Sequence, residues 1–247
     1  RELKKKFPKV KYIKSSGNIG YGAGNNLGAR EAIGRYLFIL NPDTLLKNNV
    51  IDLLLEFVNK NKNMGAIAPL LIDKHNVPFI LQGTKVLTPK RAIFSLSFLV
   101  KIFPRNKIYR EYYNADWNKK STIEVDVIPG TAFLIKKDIF HEVGEFDEKF
   151  FLFFEEFDLC KRLIRAGYKN YIIPEAKVFH KWGVSTAKNI LAKKHFTKSR
   201  FYYFKKNFGF ISAIVTELLL KVDKYSFFLF AILQLNNTLK YSSCIIY

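Results

Sequence analysis

The stretch Phe150–Gly167 reads FFLFFEEFDLCKRLIRAG. Four aromatics and a leucine lead into Glu155, Glu156 and Asp158, and an amphipathic helix follows. With the helix begun near Glu155 and stepped by about 100° per residue, Leu159, Cys160, Leu163, Ile164 and Ala166 form one apolar stripe. Asp158, Lys161, Arg162 and Arg165 fall on the opposite, wet face, and Asp158 can pair with Arg162 one turn later. Gly167 stops the helix near its C′ position. Glu156 lands in the middle of the apolar stripe, where an unpaired charge is costly to bury. Two readings stay open for it. It caps the first turn against the positive end of the helix dipole, or it stands in a cleft as a general base or ligand, where local rules yield to function.

Outward from this helix, apolar runs alternate with helical patterns. Tyr36–Leu40 (YLFIL) and Gly65–Leu71 have the length and continuity of buried strands. Further strands are expected at Val10–Ile13, Ile123–Ile128, Phe133–Ile135, Tyr168–Ile173 and Val178–His180. Helices are expected over Asn48–Asn61, with Ile51, Leu54, Leu55 and Val58 on one face, and over Lys136–Val143, ended by Gly144. Residues 73–121 mix Pro, Gly, Lys and aromatics around an apolar patch at Ile93–Phe103, and read as an irregular excursion facing the acceptor. The alternation implies an α/β sheet.

Three places on this frame carry chemistry. Ser15–Gly28, SSGNIGYGAGNNLG, is a glycine- and asparagine-rich turn after a strand, with Asn25 or Asn26 able to cap a helix through Arg30–Ile33. Such a turn is either a phosphate cradle or a flexible loop. It lacks the GxGxxG spacing from Gly20 and any GK[ST]. Tyr36–Leu40 ends at Asn41-Pro42-Asp43-Thr44, where Pro42 holds Asn41 extended and stops the strand. Asp43 then projects from a strand's carboxyl end, where open α/β sheets bind ligands. It serves as a ligand to Mg²⁺ or Mn²⁺ shared with substrate phosphates, or it starts a turn. His180, in VFHKWGVST, is a structural histidine or a metal or phosphate contact.

The chain has 247 residues, 49% of them hydrophobic, and a net charge of +20. That charge points to anionic lipid, phosphorylated substrates or nucleic acid, or simply to a solvated basic surface. Cys160 and Cys244 form no metal-ligand spacing and fit a reducing compartment. Residue 1 is Arg and no secretory signal follows. From Thr197 the composition changes: Arg200–Phe208, Phe208–Leu220 and Ser226–Leu235 are aromatic or apolar with basic flanks. Neither of the two apolar runs reaches the roughly 20 residues that span a bilayer. They form interfacial amphipathic helices or pack on the domain.

The set as a whole resembles the inverting glycosyltransferases of family 2, and most of all their rhamnosyltransferase-like branch acting on cell-surface polysaccharides. The matching residues are Gly17-Asn18-Ile19-Gly20 through Asn25-Asn26, Leu40–Thr44, Gly130–Phe133, Phe153–Arg162, and His180 with Ser185. The resemblance spans about residues 10–200 and implies a GT-A fold, a mixed sheet flanked by helices, over residues 1–196, with a helical, membrane-peripheral tail at 197–247. It implies that Asp43 is the last Asp of a DxD-like motif begun by Asn41, binding Mg²⁺ or Mn²⁺ with His180 at the diphosphate of a nucleotide-sugar. Glu156 falls where the family usually has the Asp of a Glu-Asp pair, its base, with Asp158 as the second candidate. Asn18, Gly20, Gly24, Asn25, Asn41, Gly130, Thr131, Glu155 and Arg162 are the implied substrate contacts. The acceptor would be a saccharide or lipid-linked sugar at the inner, cytoplasmic face of the membrane. The family's opening βαβ portion is expected to precede Arg1, so an inactive, truncated remnant is one alternative. A nucleic-acid-binding protein is another. It lacks an RNP-like aromatic motif, zinc spacing or a recognition helix.

Overall fold

Met64–Ile72, nine residues buried from end to end, forms the central strand β3 of a mixed sheet. In this computed structural model, residues 2–80, 82–97, 99–104, 106–181 and 190–221 are described. Ser185, the run Ser226–Leu235 and Cys244 lie outside them.

In chain order the elements are α1 (Glu2–Lys6), α2 (Tyr21–Glu31), β1 (Tyr36–Leu40), β2 (Thr44–Leu46), α3 (Val50–Lys60), β3, α4 (Pro89–Leu96), α5 (Leu99–Ile102) and α6 (Lys107–Tyr112). They continue with β4 (Ile123–Val125), β5 (Ala132–Lys136), α7 (Lys137–Glu142), α8 (Glu155–Arg165), β6 (Lys169–His180) and α9 (Ile190–Phe208). Residues 210–221 form a further helix. The chain divides into two compact units, one of residues up to Val86 and Trp117–Arg200, the other of Leu87–Asp116 with the described residues from Phe201.

The first unit holds the sheet, ordered β1-β5-β3-β6-β2, with β4 also on β6. Only β3–β6 is parallel; β1–β5, β3–β5, β2–β6 and β4–β6 are antiparallel. Side chains alternate between the two faces, as the pleat requires. Ala66, Ala68, Leu70, Phe133 and Ile135 enter a core with Ile139 and Phe140 of α7 and Leu159, Cys160 and Leu163 of α8. Ile67, Leu71, Ala132, Leu134 and Val178 enter a second core with Val50, Leu54 and Val58 of α3.

Several expectations change. Val10–Ile13 is no strand, and its apolar side chains are exposed. The two strands expected at 168–180 are one, β6, with a register shift between Ile173 and Lys177 that absorbs Pro174, Glu175 and Ala176 as an irregularity. The strand expected at Ile123–Ile128 stops at Val125, because Val127 instead bridges to Thr84. Ile51 lies off the buried face of α3. Residues 73–121 are not irregular throughout: α4 to α6 lie there, within the second unit. Thr88 caps α4 by accepting from Arg91 N, with Pro89 in the first turn, and Asn106 caps α6 by accepting from Tyr109 N.

Candidate active site

α8 begins from an unusual backbone. Phe153 and Phe154 both sit at φ 70°, in the left-handed region that bulky residues avoid. Such strain, about 1–3 kcal/mol per residue, persists only where the surroundings impose it. Here aromatic packing imposes it. Phe154 lies 5.2 Å from Phe157 and 5.3 Å from Phe196, and Phe153 lies 5.5 Å from Phe196. Phe150 is fully buried, and Ser199 Oγ donates to Leu152 O at 2.8 Å. The aromatic run read in the sequence is therefore the mould that turns the chain into α8.

The turn delivers two carboxyls. Glu155 is 4% exposed, and its Oε2 has no hydrogen-bond partner among the described residues. Glu156 is half-buried and lies against Gly130: a methyl group there would sit 3.5 Å from Glu156 Cβ and Cδ. Burial disfavours the charged form of both. Glu156 is pushed up to about 7 by burial. Glu155 is pushed up to about 8, by burial first and then by the charge of Glu156. The two carboxyls therefore titrate as a pair, held above the ordinary carboxylate range. Tyr21 completes the cluster. Its hydroxyl donates to Gly130 O, and burial, then Glu156 and Glu155, hold its proton well above the usual phenol range. Sequence reasoning passed over Tyr21, whose only signal is an aromatic ring in the midst of five glycines.

The glycine-rich segment is helical earlier than expected, because α2 starts at Tyr21 rather than at Asn25 or Asn26. Gly20, at φ +91°, leads into it, and Tyr21 N donates to Phe151 O at 2.9 Å. A methyl at Gly20 would meet Phe151 O at 2.5 Å, and one at Gly22 would meet Phe146 Cβ at 3.1 Å. These two glycines let α2 press against the segment that leads into α8. Asn18 Oδ1 accepts from Gly20 N, Asn25 Nδ2 donates to Tyr21 O, and Asn26 is buried with both amide ends on the Phe146 backbone. A methyl at Gly24 would meet only open space. Gly20→Ala should cost about 1–3 kcal/mol through the left-handed strain and the backbone clash, read as a lower urea midpoint. An unchanged midpoint would show that the Phe151 carbonyl gives way.

The end of β1 is tied to the same region. Asn41 N donates to Thr131 O at 2.9 Å, and Thr44 Oγ1 donates to Asn41 O at 2.6 Å. β2 then pairs antiparallel with β6, Thr44 opposite His180. This register sets Asp43 Oδ2 3.4 Å from His180 Nε2, with Asp43 37% and His180 11% exposed in their side chains. Lys181 N donates to Asp43 O across the same pair. Among the described residues no cluster of three or more His, Cys, Asp or Glu side chains is placed to hold a metal.

Asp158 is not on a wet face, because it is fully buried, while Ile164 of the expected apolar stripe is 37% exposed. The expected i, i+4 pair does form, with Arg162 Nε donating to Asp158 Oδ2 at 2.9 Å. Arg162 also donates to Val143 O and, at 2.6 Å, to Glu145 O. The pair anchors α8 to the turn after α7.

The sheet with these loops at its edge has a match in sequence. The glycosyl transferase family 2 profile matches residues 1–144, more than half of the chain. The chain belongs to glycosyl transferase family 2. The carboxyl pair of α8 lies just beyond the matched stretch. The N-acetylglucosaminyl-diphospho-decaprenol L-rhamnosyltransferase of Mycobacterium tuberculosis is 27% identical over 205 residues, 74% of this chain and 62% of the relative. The chain thus spans about three-fifths of that relative's length. Rhamnosyltransferase WbbL of Escherichia coli is 24% identical over 235 residues, 87% of this chain and 83% of that protein. The crystal structure of GalNAc-T7 with UDP, GalNAc and Mn²⁺ overlays with a TM-score of 0.50 at 18% identity, over 72% of this chain and 34% of that one. The GT-A fold expected from the sequence is therefore the fold of this family 2 chain.

Proposed function

We propose that this family 2 chain is an inverting glycosyltransferase that moves a sugar, rhamnose in our reading, from a nucleotide-sugar to a saccharide or lipid-linked acceptor of a cell-surface polysaccharide. Catalysis belongs to residues 1–196, with the residues from 197 as an appendage, and the work is done on the cytoplasmic side of the membrane. The observation that carries the reading is the half-buried Glu156, its proton affinity raised, set against Gly130 and beside Tyr21. The rhamnosyltransferase relatives support the donor sugar. The family match and the rhamnosyltransferase relatives do not favour the nucleic-acid and inactive-remnant readings.

Glu156 is the base. It takes the proton of the acceptor hydroxyl as that oxygen bonds to the anomeric carbon. The bond from that carbon to the nucleotide diphosphate breaks, its electron pair stays on the departing diphosphate oxygen, and the configuration inverts. Glu155, buried beside it, is raised by burial and by the charge of Glu156, so ionisation of one carboxyl opposes that of the other. Its Oε2 and the Gly130–Thr131 turn are the polar groups that would orient the sugar. Asn18, ahead of α2, and Gly24 and Asn25 in its first turns are assigned to the donor.

A carboxylate oxygen and an imidazole nitrogen side by side, as in Asp43 and His180, fit a divalent cation that completes its shell with substrate phosphates. Nitrogen in the pair favours Mn²⁺ over the more oxygen-seeking Mg²⁺, and the GT-A neighbour was crystallised with Mn²⁺. When bound, the cation would neutralise charge on the diphosphate. Asn41 supports this corner through its hydrogen bonds to Thr131 and Thr44.

A nucleotide-sugar panel titrated calorimetrically with and without Mn²⁺ tests the donor site. One nucleotide-sugar should bind in a Mn²⁺-dependent way, and Asp43→Ala should weaken that binding on the order of 10²-fold. Equal affinity in Asp43→Ala would remove Asp43 from the metal site. Failure of every donor to bind or transfer would sink the proposed activity.

A further inference from the structure

The helix over residues 210–221 is built inside out. Its buried positions are Ala213, Thr216, Glu217 and Leu220, one face at i, i+3, i+4 and i+7. The buried face thus contains an acid and a hydroxyl. The outward face carries Phe210, Ile211, Ile214, Val215, Leu218 and Leu219, with Ile211 77% and Leu218 56% exposed. Soluble proteins rarely leave so contiguous an apolar surface open to water. The six apolar residues include no charge, and exposed lysines stand at both ends: Lys205 and Lys206 before the helix, Lys221 at its close. The Lys205 ammonium lies 5.7 Å from the Phe210 ring centroid, so cation and apolar face form one surface.

We propose that this face docks on an anionic lipid bilayer, lying flat with its apolar side chains in the acyl boundary and its lysines among the headgroups. Two observations favour lipid as the occupant. The charge at both ends is complementary to anionic headgroups, on a chain of net charge +20. The six outward residues offer no hydrogen-bonding side chain to fix the register of a protein partner, with Ser212 only partly exposed at their edge, and a bilayer needs none. Twelve helical residues cover about 18 Å, short of a bilayer core, and no described helix is long and apolar enough to cross a membrane. This inference is independent of the transfer chemistry, and its test contains no sugar.

The full chain is sedimented with sucrose-loaded vesicles of phosphatidylcholine alone or mixed with phosphatidylglycerol. It should bind the mixed vesicles more strongly, and added salt should release it. Ile211→Asp and Leu218→Asp should each weaken binding by about tenfold or more. Lys205→Glu with Lys206→Glu should abolish the preference for the anionic vesicles. As a check that survives a poorly folded Asp variant, Ile211→Cys in a Cys244→Ser chain, labelled with a polarity-sensitive dye, should shift to the blue on mixed vesicles. Absence of binding at low salt, equal binding by the Asp variants, or an unshifted dye would overturn the proposal. So would Asp variants that turn a dimer into a monomer, or lower the thermal midpoint, with vesicle binding unchanged. Those outcomes would assign the face to a second copy or to the chain's own residues 222–247.

Discussion

Glu156→Gln should lower the rate of sugar transfer by about 10²–10⁴-fold, the usual contribution of a positioned general base, with Mn²⁺-dependent donor binding unchanged. The substitution is nearly isosteric, so contact with Gly130 survives and only the ability to take a proton is lost. The pH profile gives a second readout. Glu156 has its carboxyl pushed up to about 7 by burial, and it must be ionised to act. Transfer should therefore rise with pH through about 7 and level off above it. The residual activity of Glu156→Gln should lack that limb. Transfer at the parent rate in Glu156→Gln, or an identical limb in both, would return the role to another group.

Arg162→Ala should cost about 3–5 kcal/mol of folding free energy, the range for removing one partner of a buried ion pair. The guanidinium is 20% exposed and Asp158 only 1% in their side chains. Without it, Asp158 loses its cation in the interior and the carbonyls of Val143 and Glu145 lose a donor. Chemical denaturation of the single variant reads the loss. Asp158→Asn with Arg162→Leu should recover part of it, because removing both charges leaves none buried alone. A loss below about 1 kcal/mol, the scale of a solvent-exposed pair, would show that the pair is not an anchor.

The long apolar strands and α8 are readable because burial on both faces, or on one stripe, prints a run or a period into the chain. The helix start at Glu155 was legible for that reason, as was the i, i+4 pair. Burial of Asp158 was not: a helical wheel counts an acid as wet and cannot see a partner that follows it inside. The single strand β6 was hidden by Pro174, a residue that normally ends strands but here sits in the register shift. The cap Thr88-Pro89 was present in the sequence as a helix start, yet the mixed composition of residues 73–121 masked it. The nearness of Asp43 and His180 lies in strand pairing, which no local pattern encodes.

That pairing also orders events in time. β2 is three residues long, and it reaches its partner across one of the longest chain separations in the sheet: Lys177 N donates to Asn48 Oδ1, 129 residues earlier. Contacts this distant carry the greatest loop-closure cost and slow folding most. Until closure, Asp43, just ahead of that short and half-solvated strand, has no His180 beside it. The corner that would hold the cation should therefore form late as the chain folds, at a high cost in loop closure.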